Sequence, residues 1–298
     1  MFESQGKKVL RYSDYISEED IEISKSISNK ISFDEIRQYH LNDIAVGEHA
    51  YAGALRFFAI GTLTKNINSD KVLRKYFQAS ILSVSAINKL LSVNKYDSVF
   101  FNHGIYVPQG LIGEVCRKRD IHVINWNPGY KKQTFIFSHN NTYHHTMMTE
   151  NVENWSNIEW NDKLDKQLIT YLNSRWHGSQ DWIWFHHEPQ FNIEKISKKT
   201  GINFNKPCVG VLTSVMWDAV LHYPSNAFTN MIEWIDHTIQ FFQNNLDVQL
   251  IIRIHPAEIR GTLPSNQKMC DEIDKLYPEL SHNIFVIPPE SDVSTYAV

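Results

Sequence analysis

Apolar residues along this chain follow two periods, and each period predicts its own kind of element. Over 70–93, Leu73, Phe77, Ile81, Val84, Ile87 and Leu91 recur every three or four residues, which places them on one helical face. Helices are also predicted over about 109–119, 162–176, 225–244 and 265–277. The 225–244 segment sets Phe228, Ile232, Ile235, Ile239 and Phe242 on one side. A weaker helical pattern covers 43–62, through Ile44, Tyr51, Leu55, Phe58 and Ile60. Short apolar runs bounded by turn residues read as strands at 98–101, 121–126, Cys208–Leu212, 248–254 and Ile284–Ile287. Residues 8–12 make a weaker strand, and 134–138 is compatible with another. The rest of the first 45 residues is polar and rich in Ser and Glu.

Strands alternating with helices predict an α/β fold with parallel pairing. The 98–126 segment is a βαβ unit of about the minimum crossover length, and 208–287 is a βαβαβ run. A junction is expected within 188–206, a polar stretch holding Gly201 and followed by Pro207. Beyond Glu290, Ser291 and Asp292 look like the cap of a helix that stops in mid-pattern at Val298. The opening residues lack the apolar strand that usually begins a doubly wound domain. The expectation is therefore a fragment, truncated at the C-terminus.

Composition narrows the function classes. A hydrophobic content of 42% with eight Trp and 16 Phe supplies a core and argues against disorder. A net charge of −4 gives no electrostatic case for nucleic acid or for an anionic membrane surface. Cys116, Cys208 and Cys270 are odd in number and fit no CxxC pattern, so a reducing cytoplasm is the simplest location. No apolar run reaches transmembrane length, and the N-terminus lacks a signal-peptide core.

Several signatures are missing. There is no GxGxxG, no GxxxxGK[ST], no Asp-x-Asp and no HExxH. The adjacent pairs His144-His145 and His186-His187 do not converge readily on one ion, so no metal site is expected. What remains is three loops at the carboxyl ends of predicted parallel strands, where α/β sheets bind ligands. In the third, strand 248–254 runs into Arg253, His255, Pro256 and Glu258. Arg253 and His255 are two apart, on one side of a strand, and Pro256 ends the ladder. A cation, an imidazole and a carboxylate at that edge suit an anionic ligand such as a nucleotide phosphate; the alternative is a charged strand end facing solvent. The second loop, from Thr213 and Ser214 to Asp218, offers hydroxyls and N–H groups to phosphate, or simply caps a helix. The first loop, Asn102-His103-Gly104, presents His103 as a general base for a sugar hydroxyl, with Gly104 allowing close backbone approach. The alternative is a turn histidine. Asn127-Pro128-Gly129 and Tyr143-His144-His145 are expected to line the interdomain cleft from the other domain.

The run Lys206-Pro-Cys-Val-Gly-Val-Leu-Thr-Ser-Val-Met-Trp-Asp, then Leu250-Ile-Ile-Arg-Ile-His-Pro-Ala-Glu, Val286-Ile-Pro-Pro-Glu-Ser and Ser294-Thr-Tyr-Ala resembles bacterial capsular polysaccharide biosynthesis proteins. Phe101-Asn-His-Gly-Ile-Tyr and Ser174-Arg-Trp-His-Gly-Ser are similar to that family too. The likeness covers about 97–298 and is most specific in 206–298. It implies a metal-independent glycosyltransferase of the GT-B type with two Rossmann-like domains. These are an acceptor-side domain over 1–190 and a donor-nucleotide domain over 191–298 that is incomplete. A further strand, a Gly/Thr loop and a helix would follow Val298.

On this resemblance a sugar passes from a nucleotide-sugar donor to a capsular polysaccharide or glycolipid acceptor. No cofactor or metal takes part. Arg253, His255 and Glu258 hold the donor with Thr213 and Ser214, and His103 is the base. The protein would be cytoplasmic, at the inner face of the membrane with the polysaccharide machinery, and would bind no nucleic acid. The other readings are a sugar-nucleotide epimerase of the same architecture and a non-catalytic partner in polysaccharide assembly.

Overall fold

Residues 3–142, 150–186, 188–221 and 226–298 are described by the computed structural model of the chain. Among them are nine α-helices and two three-stranded sheets, neither closed into a barrel. The protein is thus mixed α/β. It divides into two compact units, Met1–Ala54 with Thr64–Asp165, and Leu55–Leu63 with Lys166–Val298.

The first unit begins with a helix hidden in the polar N-terminal stretch, α1 (Glu18–Lys30). Ser17 starts it through a reciprocal cap. Its hydroxyl oxygen accepts the Asp20 N–H at 3.3 Å, and the Asp20 carboxylate accepts the Ser17 N–H at 2.6 Å. Asp20 also bonds Lys89 and the Ser85 hydroxyl, and these bonds, that to Lys89 foremost, hold its carboxyl well below the usual range. Both partners lie on α3 (Ile67–Val93), which Asn66 caps by accepting the N–H groups of Asn68 and Ser69 at 2.9 Å. Leu73, Phe77, Ile81, Val84 and Ile87 are buried along α3, at the spacing the sequence predicts.

Helix α2 (Val46–Phe58) precedes α3 and carries His49 into the interior. Its Nε2 lies 2.7 Å from Glu114 Oε1 on α4 (Gln109–Lys118), and its Nδ1 lies 2.9 Å from the Ile105 carbonyl. Burial pushes the Glu114 carboxyl up, but His49 and the Ala45 N–H outweigh it and hold the group low.

The first sheet has β1 (Ser98–Asn102) parallel to β2 (His122–Pro128), which pairs antiparallel with β3 (Phe135–His139). α4 packs on β1 and β2. The opposite face exposes Phe100, Phe135 and Phe137. Residues 8–12 form no strand; the chain instead makes a 3-10 turn at Tyr12–Tyr15. Alternation over five residues cannot make a strand where no neighbour supplies a ladder.

The second unit holds the end of α2 and runs on from Lys166, within α5 (Asp162–Arg175), through α6 (Ile193–Thr200) to its sheet. There β4 (Cys208–Leu212), β5 (Gln249–Arg253) and β6 (Ile284–Ile287) lie parallel, in sequence order. The two crossovers hold α7 (Met231–Gln243) and, after a short α8 (Ala257–Arg260), α9 (Met269–Leu276). Leu250, Ile252 and Ile254 pack against Ile235, Ile239, Met269 and Ile273 on one face. On the other, Ile251 meets Ile196, Ile202 and Val293. Each such side chain contributes about 1.5–3 kcal/mol by leaving water.

Three boundaries depart from the sequence pattern. α7 begins at Met231, where the Asn230 side chain accepts the Glu233 N–H at 2.9 Å; Ser225 is outside the described residues. α9 begins at Met269, whose N–H the buried Glu258 carboxylate accepts. The expected helix after Ser291 does not form: Val293 bridges Gln190 and packs with Ile251, and residues 295–297 make a turn. Among the described residues no helix is long and apolar enough to cross a membrane.

Candidate functional site

β5 is buried along its whole length, and its carboxyl end decides the local chemistry. The ladder with β4 continues one step beyond Leu212, where the Thr213 N–H donates to the Arg253 carbonyl at 3.1 Å. The Thr213 hydroxyl oxygen then accepts the His255 N–H at 3.0 Å. Pro256 lies in helical backbone conformation and opens α8, a placement its missing N–H favours. The Ala257 N–H donates to His255 Nδ1 at 3.0 Å. That bond assigns the remaining proton to Nε2, so His255 is a neutral ring with one N–H to give. Burial and the nearby Arg253 charge both push its pKa down.

Arg253 is 1% exposed. The strand ends at Arg253, and its side chain turns inward on the face that carries Ile251. Nη1 donates to the carbonyls of Ile254 at 2.9 Å and Pro288 at 2.6 Å, and Nη2 to Ser291 at 3.3 Å. The guanidinium therefore staples the turn after β6, and it supplies charge to the site from below. Burial and Arg260 lower its pKa to about 10, against the opposing pull of Glu290 and Asp292, so it is cationic at neutral pH.

Glu258 is buried, and its Oε2 accepts the Met269 N–H at 3.1 Å. That bond fixes where α9 starts. Burial raises its pKa. Its position suits a helix cap better than a ligand contact. The loop after β4 also divides: Ser214 is exposed, whereas Val215 and Trp217 pack with Ala59 and Ala257. Trp217 Nε1 donates to Ser265 Oγ at 3.0 Å, and Arg56 pairs with Asp218 at 2.7 Å. These residues anchor the loop, leaving Ser214 as its presented hydroxyl.

Arg260, and His186, which the sequence offered only as half of an unlikely metal pair, join this edge. Arg260, on α8, donates through Nη1 to the Phe185 carbonyl at 3.0 Å. The Phe185 ring stands edge-on to His255, with centroids 5.2 Å apart. His186 is buried, with Nε2 3.0 Å from Thr295 Oγ1. Burial, then Arg253, Arg260 and His255, push its pKa down to about 4. Arg260 has a sequence signal, being two residues past Glu258. His186 has none, since it arrives from a distant aromatic segment.

His103 belongs to the first unit, at the carboxyl end of β1. It is half-buried, with left-handed φ of 71°, its N–H donating to the Trp126 carbonyl at 3.1 Å and its ring 5.4 Å from that of Tyr106. Asn102 Nδ2 donates to Trp126 O at 3.0 Å and to Asn127 Oδ1 at 3.2 Å. Gly104, at φ 75°, serves a neighbouring side chain: a Cβ there would stand 2.1 Å from Asn125 Oδ1. The space expected for a ligand over Gly104 is filled by that asparagine. Tyr143, His144 and His145 lie outside the described residues, as does His187. Among the described residues no three His, Cys, Asp or Glu side chains are grouped to hold a metal ion.

Thr213, Ser214, Arg253 and His255 thus share one edge of the second sheet with Arg260 and His186, while His103 stands at the edge of the first. Comparison with protein-family models, curated proteins and solved structures found no match.

Proposed function

We propose that this chain is a glycosyltransferase of the GT-B type, built of two Rossmann-like domains, which moves a sugar from a nucleotide-activated donor to a surface polysaccharide. The observation that carries this reading is the gathering of Arg253, Arg260, His186 and His255 at the carboxyl edge of β4–β5–β6, beside the Ser214 hydroxyl. Cationic and donor groups at that edge of a parallel sheet suit the diphosphate of a donor.

Each group has a distinct task in this reading. Arg253 is engaged with carbonyls and acts as a fixed positive charge. His255 donates from Nε2, and Arg260 and Ser214 reach the phosphate oxygens. These interactions strengthen as negative charge grows on the departing diphosphate, which is where binding lowers a barrier. His103 takes the proton of the attacking sugar hydroxyl. The enzyme works in the cytoplasm, at the inner face of the membrane where polysaccharide is assembled.

The test is calorimetric titration with nucleoside diphosphates, followed by product analysis of a donor sugar with and without acceptor. His255→Ala is expected to weaken nucleotide binding by about 1–3 kcal/mol, the range for a hydrogen bond to a charged group. Unchanged affinity in a folded variant removes His255 from the site. Conversion of the donor without acceptor identifies an epimerase instead.

A further inference from the structure

The cations at the second sheet's edge are bordered by aromatic rings. The Trp184 ring lies 5.3 Å from that of His186, Phe185 touches His255, and the Phe185 carbonyl accepts Arg260 Nη1, so the segment 184–186 runs along the Arg and His groups of that edge. Beyond it Trp184 and Tyr296 are near parallel, at 6° and 6.4 Å between centroids, and Trp176 lies 6.2 Å from Tyr296. Tyr296 is 37% exposed and Trp176 41%. Trp184 is half-buried.

The rings are held from behind. Asp181, itself buried, accepts the Tyr171 hydroxyl at 2.9 Å and lies 3.4 Å from Arg175 Nε. The Arg175 guanidinium sits 5.6 Å from the Tyr296 ring centroid. Gly178, at φ 61°, brings its backbone against the indole, since a Cβ there would come 2.2 Å from Trp184 Cδ2. Rings fixed in this way lose little freedom when a flat ligand lies on them.

Resting on the donor-nucleotide reading above, we infer that Trp184 and Tyr296 form the shelf for the nucleotide's aromatic base, while Arg260, His186 and His255 take its phosphates. The ligand class is a nucleoside diphosphate, and neither a bare phosphate nor a sugar phosphate satisfies both halves of the site. Stacking on π faces accepts any base.

The experiment titrates the whole chain by calorimetry with uridine diphosphate, adenosine diphosphate and inorganic pyrophosphate. The nucleotides are expected to bind at least about 10-fold tighter than pyrophosphate, a step of about 1.4 kcal/mol and within the range for one stacked base. Trp184→Leu and Tyr296→Leu keep apolar bulk; each is expected to erase most of that advantage and leave pyrophosphate affinity within about twofold. Trp184→Phe is expected to retain it. Circular dichroism checks that each variant folds. A nucleotide advantage that survives both Leu variants overturns the inference. Equal binding of nucleotides and pyrophosphate by the wild type overturns it too, and leaves the anion site standing. Binding of none of the three overturns both the inference and the donor reading.

Discussion

Thr213 and His255 join the carboxyl ends of two neighbouring strands, the Thr213 hydroxyl oxygen accepting the His255 N–H at 3.0 Å. Thr213 follows β4 and His255 follows β5, so one bond sets the spacing of the two loops that present Ser214 and the His255 ring. Thr213→Val keeps the shape and removes the acceptor. It is expected to destabilise the protein by about 1–3 kcal/mol, the cost of a buried N–H left unpaired. Thr213→Ser is expected to restore most of the loss. Urea denaturation of the three proteins measures it, and a Val variant as stable as wild type would show that water replaces the hydroxyl.

Arg253 looks from the sequence like a ligand-binding cation, and the fold gives its Nη groups to the Ile254, Pro288 and Ser291 carbonyls. Lysine has no planar fork to reach all three. Arg253→Lys is therefore expected to cost about 2–4 kcal/mol, through carbonyls left unpaired in the interior. Amide exchange over 284–298 should speed up while α1 and α3 keep their protection. Loss of nucleotide affinity with unchanged stability would return Arg253 to the ligand.

The histidines make stability depend on pH in a defined direction. His186 titrates near 4 in the folded chain and near its ordinary value of 6.5 when unfolded. Between these values the unfolded chain holds a proton that the folded chain lacks, so stability rises with pH through the window and is lost as pH falls toward 4. One proton gives a slope of at most about 1.4 kcal/mol per pH unit. His255 adds to it with the same sign. In His186→Gln the curve between pH 4 and 6.5 should be flatter than wild type; parallel curves would show that His186 titrates normally.

If His103 is the base, His103→Ala lowers turnover by about 10²–10⁴-fold and leaves nucleotide affinity nearly unchanged. A turn histidine predicts little change in rate. Steady-state assays with calorimetry on the same variant separate the two.

Local pattern determined the elements. The three- and four-residue spacing from Leu73 to Ile87 specifies one face of α3, and the apolar runs at 208–212 and 284–287 coincide with β4 and β6, because period and strand length are properties of the backbone alone. The carboxyl end of β5 was legible for the same reason, since an apolar run can stop only where its last residues find other partners. Tertiary structure decided what those partners are. Arg253 turned inward because a strand buried on both faces leaves its side chain no water. Glu258 turned to α9 because Met269 needed an acceptor in the interior. α1 is hard to read in the sequence because Ser24 and Ser28 stand buried among Ile21, Ile27 and Ile31, and Asp20, Ser85 and Lys89 tie the helix to α3. His186, Arg260 and the Trp184–Tyr296 shelf come from segments as far apart as 184 and 296. Nothing in either segment specifies its distance from the other; only the folded chain, with α8 anchored on the Phe185 carbonyl, brings them together.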